Sequence, residues 1–587
     1  MKFHYVATVF DAIEKESGRT KITHILADLF KKVTPNEAAF IAYISLGSLN
    51  PPYIGTQFNF AEKSLIKVIA QLLDISAHAA KEMVDKLGDL GSVVEKGEWA
   101  GASDLLSVHD VQKTLESFLT ISGTGSQEVK EHAMLKILRA VDSLSAKFIV
   151  RIVAGQLRLG FSDMTLLDAF SWMEKGDKSI RQELENAYNI SADIGLIIKT
   201  LKEDGVSGIE KIAITPGIPI RPAAAERAPD AKAIIDKLGD CVAQPKLDGF
   251  RLQVHIDHRS GHRVMRFFSR NLLDMSAMFP DLVHALKDFE VKTLVAEGEA
   301  ICFDEATGSF LPFQETVKRK RKHDIESVAQ EYPLKLYLFD VLYLNGKSLL
   351  DASHHERRKI MLDVCDDATI KKHHIIYPIE EKRVHTAQEL EAYFEQNIAS
   401  GLEGLVVKRD DATYQPGKRN FNWIKLKRQE SGSLEDTVDC VILGYYYGSG
   451  KRASFGIGAL LVGIYNKKKD CFQTVAKIGT GLTDQEWKDQ KKACDKIHVA
   501  HKPINVECAK ELYPDVWASP EIVCMIRADE ITRSPLHTAG KTEKESGLAL
   551  RFPRLMGYRP DKDAGSATTV TELETLFELQ FKKKQKV

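Results

Sequence analysis

Ala243-Gln244-Pro245-Lys246-Leu247-Asp248-Gly249-Phe250-Arg251 brings a lysine, a carboxylate, a glycine and an arginine into one short segment. A primary amine can attack the α-phosphate of a nucleotide and hold it as a phosphoramidate, which divides one hard transfer into easier steps. The attacking amine must be neutral, whereas an ordinary lysine is protonated at pH 7, so such a site needs nearby cations or a metal. Taken alone, the segment also fits a solvated lysine beside an Asp-Gly turn, and companions elsewhere in the chain decide between the two.

Those companions follow in order. Ser269-Arg270-Asn271 ends a β-favouring run from Arg263 to Phe268, and Glu297-Gly298-Glu299 closes another that starts at Thr293, which puts Glu299 at a strand end. Leu336 to Tyr343 is apolar and aromatic almost throughout, the pattern of a buried strand, and contains Phe339. Glu403-Gly404-Leu405-Val406-Val407-Lys408 comes next, then Trp423-Ile424-Lys425-Leu426-Lys427, whose alternation sets Lys425 and Lys427 on one strand face. On composition alone Phe339 reads as core, Lys408 as an ordinary charge, and the other charged groups as the wet sides of strands.

In this order and spacing the segments resemble the successive motifs of covalent nucleotidyltransferases, and most closely those of ATP-dependent DNA ligases. The resemblance implies that Lys246 is the adenylylated nucleophile, that Arg251 and Arg270 hold ribose and phosphate, and that Phe339 stacks on adenine. It further implies that Glu299 and Glu403 contact ribose and a catalytic Mg²⁺ (or Mn²⁺), and that Lys425 and Lys427 grip the α-phosphate of ATP. Phosphoryl transfer of this kind depends on positioning and charge neutralisation, which these residue types supply. Gln244 departs from the family pattern, in which many relatives carry a glutamate that reads the adenine amino group; its carbonyl can accept the same bond, but the amide can also turn the other way.

At 587 residues the chain exceeds one core and suggests about three or four units. No run approaches the roughly 20 apolar residues of a membrane helix, and Asp11 and Glu14 stand too early for a signal peptide, so a cytoplasmic, nucleoid-associated protein without a membrane partner is expected. With 81 Lys and Arg against 82 Asp and Glu, net charge −1, overall electrostatics do not advertise nucleic acid. Local runs could do so: Lys318-Arg319-Lys320-Arg321-Lys322 and the tail Lys582-Lys583-Lys584 with Lys586 are solvated charge or phosphate contacts. The 8 cysteines stand singly with no Cys-x-x-Cys pair, which favours reduced thiols over disulfides or a zinc finger and disfavours the NAD-dependent ligase class.

From Met1 to about Gly205 apolar residues recur at helical spacing, as in Ile22, Ile25, Leu26, Leu29, Phe30 and Val33, and Thr34-Pro35-Asn36-Glu37 reads as a capping box. Ser122-Gly123-Thr124-Gly125-Ser126-Gln127 breaks the helices, with Lys130 close behind; its small residues let backbone amides approach phosphates. Arg151 and Arg158 fall two turns apart on one predicted helical face. These segments resemble the helical DNA-binding domain preceding the ligase core, which implies DNA contact by Gly123, Gly125, Ser126, Lys130, Arg151 and Arg158, without sequence specificity.

Pro216 to Pro222 reads as a domain entry and Gln429-Glu430-Ser431-Gly432-Ser433 as a polar hinge. Beyond it, short β-like runs (Val438 to Tyr447, Gly458 to Tyr465, Cys471 to Ile478, Val516 to Ala528) suit a small barrel. Arg551-Phe552-Pro553-Arg554 and Arg559-Pro560-Asp561-Lys562 resemble the last ligase motif, which implies that Arg551, Arg559 and Lys562 orient pyrophosphate during lysine adenylylation. The expectation is a multidomain α+β protein: an all-α DNA-binding domain at 1–209, an α+β nucleotidyltransferase core (ATP-grasp-like adenylation fold) at 210–428 and a C-terminal β-barrel OB-fold at 429–587. The implied activity is sealing of 5′-phosphate/3′-hydroxyl nicks in duplex DNA by a monomer, with a sliding clamp as a candidate recruiter. An RNA ligase or guanylyltransferase shares the lysine chemistry but leaves the helical region unexplained, and a non-catalytic DNA-binding scaffold leaves the intact charged residues unexplained.

Overall fold

The computed structural model describes residues 1–587 except 57, 102–105, 124, 156, 158, 260–263, 288, 305–308, 312, 320–324, 367–373, 401, 428–436, 449, 544 and 583–587. The hinge candidate at 429–433, Arg158, part of the basic run at 318–322 and most of the basic tail therefore lie outside the described residues. By contacts the chain forms two units, one of residues 1–64 with 100–428 and one of residues 65–99 with 429–587.

Between Phe3 and Glu210 the described elements are helical. Helix Arg19–Lys32 shows the cause: Ile22, Leu26, Leu29 and Phe30 recur along one side and are buried. The Thr34 and Glu37 side chains cap the next helix, Pro35–Ser45, reciprocally, with Pro35 in its first turn. The glycine-rich break falls between helices Val108–Thr120 and Ser126–Arg139, and Gly125, with φ 79°, supplies the left-handed residue at the start of the second. Arg151 stands on helix Ser143–Val153, and the expectation that Arg158 shares its face falls outside the described residues.

The middle of the chain holds strands β1 (Ala224–Arg227), β2 (Cys241–Lys246), β3 (Phe250–Asp257), β4 (Val264–Ser269), β5 (Thr293–Asp304), β6 (Ser309–Phe310), β7 (Leu334–Leu344), β8 (Lys347–Ser348), β9 (Ile376–Pro378), β10 (Lys382–Val384), β11 (Gly404–Lys408) and β12 (Arg419–Lys427). They make two sheets. One runs β1-β12-β11-β2-β10; the other runs β4-β3-β5-β7-β8, with β6 beside β5 and β9 beside β7. Strand alternation sorts each sheet into an apolar and a polar face. In the first, Cys241, Ala243, Leu405, Val407, Ile424 and Leu426 pack on helices Ala231–Leu238 and Ala387–Ala399. In the second, Leu252, Val254, Ile256, Ala296, Leu336 and Leu338 pack with Leu282 and Leu286 of helix Pro280–Leu286 and with Met361. Each buried aliphatic side chain contributes about 1.5–3 kcal/mol. The remaining faces carry the polar site. Glu299 sits well inside β5, which continues to Asp304, and not at a strand end as the sequence suggested, because Ala300, Ile301 and Cys302 extend the buried run.

In the C-terminal part, strand Val438–Tyr446 pairs on one side with Ala459–Asn466 and on the other with Val516–Ala518 and Val523–Arg527. Ala459–Asn466 pairs with Cys471–Ile478, and Val523–Arg527 with Arg554–Tyr558. Leu555 N–H reaches the Thr480 carbonyl at 3.5 Å, bringing the two ends of this curled sheet together around Cys440, Ile442, Leu460, Val462 and Ile526. Helix Asp484–Lys496, which the sequence reading did not anticipate, is mostly polar and is held by its Thr483/Glu486 cap and by buried Trp487 and Cys494. No helix among the described residues is long and apolar enough to cross a membrane. All 8 cysteines are free thiols; seven are buried and Cys508 is half-buried.

Candidate active site

Register places the candidate residues of the first sheet side by side. Lys246 lies opposite Gly404, and Gly404 opposite Lys427; Gln244 lies opposite Val406, and Val406 opposite Lys425. Gln244, Lys246, Lys425 and Lys427 therefore share one face, with Trp423 and Lys408 continuing it. Gly404 has φ 139°, and a Cβ there would meet the Leu426 carbonyl at 2.2 Å, so this packing admits no other residue. Glu403, at the entry to β11, accepts from Lys246 through Oε2 and from Lys427 through Oε1. Burial pushes the Glu403 carboxyl up, but Lys246 and Lys427 outweigh it and hold the group below its ordinary value. Burial, with Lys427, Arg419, Lys246 and Arg270 as cationic neighbours, pulls Lys425 below its ordinary value. The exposed Arg270 thus belongs to the same cationic neighbourhood.

The second sheet contributes the opposing wall. Arg251 pairs in register with Glu299, and Glu299 with Tyr337. Burial pushes the Glu299 carboxyl up to about 7, against the pull of Lys246 and Arg251. Its Oε1 accepts from Gly249 N–H at 3.2 Å, and a Cβ at Gly249 would meet the Ala300 carbonyl at 2.3 Å, so the β2–β3 turn closes over β5 only with glycine there. The Arg251 guanidinium is engaged by Glu297 (2.9 Å) and the Ala223 carbonyl (2.8 Å), while its Nε is buried without a hydrogen-bond partner among the described residues. Phe339 is half-buried, edge-on to Trp423 at 6.1 Å, with Arg251 at 5.4 Å and the Lys408 ammonium at 5.1 Å from its ring centroid.

Several residues of this region escaped the sequence reading. Buried Glu297 accepts from Arg251 and, at 2.8 Å, from the Tyr414 hydroxyl; its place two residues before Glu299 on an apolar strand was the available signal. Lys408, read as an ordinary charge, is 1% exposed, donates to the Phe339 carbonyl at 3.0 Å and lies 4.0 Å from Asp340; burial drives its ammonium down to about 8. Asp340 is gripped by Arg357 through two bonds of 2.7 and 3.1 Å. Gln244 is buried and its Nε2 donates to Glu381 at 2.7 Å.

The DNA-facing expectations need correction. Arg151 is 2% exposed and makes paired bonds of 3.0 and 2.9 Å to Glu14, with Lys147 beside it on Asp11 and Glu14. Lys130 is 5% exposed and donates to the Phe58 carbonyl at 2.9 Å. Both charges are spent inside the helical region, because a buried cation requires an acceptor close by. Arg319 of the basic run is likewise buried, on Asp281 at 2.6 Å. Gly123, Gly125 and Ser126 remain at the helix break. In the C-terminal part Arg559 and Lys562 converge on Asp439 at 3.2 and 2.7 Å, whereas Arg551 pairs with Glu530 at 2.7 Å.

Comparison with known proteins gives a consistent picture. Residues 2–171 match the family described as DNA ligase N terminus, 222–427 the ATP dependent DNA ligase domain, and 453–562 the ATP dependent DNA ligase C terminal region. The probable DNA ligase of Dictyoglomus turgidum is 43% identical over 586 residues, covering 100% of this chain and 99% of that protein. The DNA ligase of Sulfolobus acidocaldarius is 35% identical over 603 residues, with 100% and 99% covered. A solved structure named Pmar-Lig_PreS3 covers 94% of this chain and 99% of its own at 17% identity with a TM-score of 0.56, a likeness of fold.

Proposed function

The chain belongs to the ATP-dependent DNA ligase family and is an ATP-dependent DNA ligase, and from that premise we propose that Lys246 carries the nucleotide as a covalent lysyl-AMP. The observation that carries this reading is the gathering of cations on one sheet face: Lys246 and Lys427 share Glu403, and Lys425 has Lys427, Arg419, Lys246 and Arg270 as cationic neighbours. That concentration of positive charge favours an anionic ligand, and a triphosphate supplies it.

Lys246 Nζ attacks the α-phosphorus; a nitrogen–phosphorus bond forms, the bond to pyrophosphate breaks, and the proton leaves Nζ. Lys425 and Lys427 neutralise charge on the α-phosphate oxygens, while Phe339 and Gln244 receive adenine and Arg251 and Arg270 the ribose and phosphates. Among the described residues no cluster of three or more His, Cys, Asp or Glu could hold a metal. Glu299 and Glu403, the two carboxylates beside Lys246, are the residues that would hold Mg²⁺. When bound, the ion would polarise the phosphoryl group.

AMP then passes to the 5′-phosphate of a nick in duplex DNA, and the 3′-hydroxyl displaces it. Arg551, Arg559 and Lys562 serve the first step by orienting pyrophosphate, in a C-terminal domain at 429–587 that follows a helical domain at 1–209 and a core at 210–428. Gly123 and Gly125 offer backbone N–H groups, and Ser126 its hydroxyl, to DNA phosphates without sequence preference, the Ser126 N–H being turned onto the Gly123 carbonyl at 3.2 Å. Incubation with α-labelled ATP is expected to label the wild-type protein and leave Lys246→Ala unlabelled, with loss of nick sealing; a labelled Lys246→Ala protein would overturn the assignment.

A further inference from the structure

Gln244 is an amide whose two ends are opposite in character: Oε1 accepts and Nε2 donates, and the way it points decides which purine it welcomes. Adenine offers a donor amine at C6, whereas hypoxanthine and guanine offer an acceptor carbonyl. Three groups bear on that choice. Gln244 Nε2 donates to Glu381 Oε2 at 2.7 Å. His354 Nε2 lies 2.8 Å from the same oxygen, and Arg358 Nε stands 3.9 Å from Oε1. Among the described residues no group donates to Gln244 Oε1.

From this geometry we infer that Glu381 is a positioning residue for base selection, fixing the Gln244 amide so that its carbonyl faces the nucleotide and accepts from the adenine amine. The inference rests on the reading of Lys246 and Gln244 as the nucleotide site. A carboxylate can only accept, so the Gln244 NH₂ must turn toward it and the carbonyl must turn away. Burial raises the Glu381 carboxyl, but His354, Lys408 and Arg358 outweigh it and hold the group down at about 2, so Glu381 remains acceptor-only through neutral pH. Gln244 stands on the same face of β2 as Lys246, two residues away, so the adenine reader and the nucleophile move as one rigid piece. His354 is equally well fixed, in the first turn of a helix whose Ser353/Glu356 capping box is complete. The doubt that a glutamine raised at this position is thereby resolved by a residue 137 positions away.

Glu381→Gln supplies the discriminating perturbation. The permanently charged Arg358, on the Oε1 side, draws the oxygen of the new amide, so its NH₂ takes the Oε2 position against both Gln244 and His354; the imidazole can meet it by changing tautomer, whereas Gln244 must turn, leaving an NH₂ in the nucleotide site. Inosine triphosphate, which carries a C6 carbonyl and no 2-amino group, isolates the effect. In single-turnover lysine labelling, the ratio of kcat/KM for inosine triphosphate to that for ATP is expected to rise about tenfold or more over wild type in Glu381→Gln. The double variant Gln244→Glu/Glu381→Gln exchanges the roles of the two side chains and is expected to return the ratio to within about threefold of wild type. If Glu381→Gln does not fold, the double variant carries the test alone, since an unrestored ratio overturns the proposal. An unchanged ratio in folded Glu381→Gln, with both nucleotides used equally less well, overturns it too and marks a structural role. Failure of the wild-type protein to label at all would strike instead at Lys246.

Discussion

Arg357→Ala is expected to destabilise the catalytic core by about 3–4 kcal/mol. Arg357 and Asp340 are 0% and 2% exposed, and the guanidinium makes two bonds to Asp340 and two more, of 2.6 and 3.2 Å, to the carbonyls of Ala352 and Ala412. Removing one partner of a buried pair costs roughly 3–5 kcal/mol. The lower part of that range applies because Asp340 would keep the Val341 N–H at 3.0 Å and the Lys408 ammonium at 4.0 Å. Replacing both partners, as Arg357→Met/Asp340→Leu, should recover only part of the loss, since buried Lys408 then loses the carboxylate 4.0 Å away and keeps the Phe339 carbonyl and the Phe339 and Trp423 rings. Adding Lys408→Met should recover most of the rest. Urea unfolding followed by intrinsic fluorescence, with the m-value checked for constancy, measures all four proteins. A loss below about 1 kcal/mol for Arg357→Ala, or a double variant as stable as wild type with Lys408 in place, would refute the buried-triad account.

Arg151→Gln should lower stability by roughly 2–4 kcal/mol while leaving the salt dependence of nicked-DNA binding unchanged; a fall of about 1 in the slope of log K against log salt would return Arg151 to the DNA surface. Glu403→Gln removes the shared anchor of Lys246 and Lys427 and should slow lysine adenylylation about 100-fold or more in single turnover, a prediction that an unaltered rate would contradict. Glu381 has a folded pKa depressed from 4.5 to about 2, so its contribution is present above pH 4.5 and disappears as pH falls toward 2. That contribution is roughly 3 kcal/mol, and the stability gap between wild type and Glu381→Gln should therefore narrow by about 2 kcal/mol on acidification from pH 7 to pH 3; a gap independent of pH would show that the carboxylate is not the stabilising species.

What the sequence made legible is what runs along a strand or a helix. The alternation at Trp423 to Lys427 set Lys425 and Lys427 on one face, and the strand register keeps them there; Thr34 and Glu37 cap the helix they announced. What it hid is contact between distant segments. Arg151 and Glu14 are 137 positions apart, and Lys408 and the Phe339 carbonyl 69. A lone arginine or lysine on a helix or strand carries no mark of the acceptor that will bury it, so Arg151, Lys130 and Lys408 all read as solvent-facing. Glu299 was misplaced at a strand end because two glutamates and a glycine interrupt the apolar pattern, although Ala300, Ile301 and Cys302 carry the strand on in register with β7.

The thiols give the molecule an experimental convenience. Seven of its 8 cysteines are buried and the eighth, Cys508, has its pKa pushed up to about 11 by burial, so at neutral pH the native protein offers little thiolate to a maleimide. A single cysteine introduced on an exposed helix of the N-terminal region and another on the C-terminal sheet would thus take fluorophores against a nearly silent background, letting the distance between the two ends of the enzyme be followed through a catalytic cycle without first stripping out its own sulfurs.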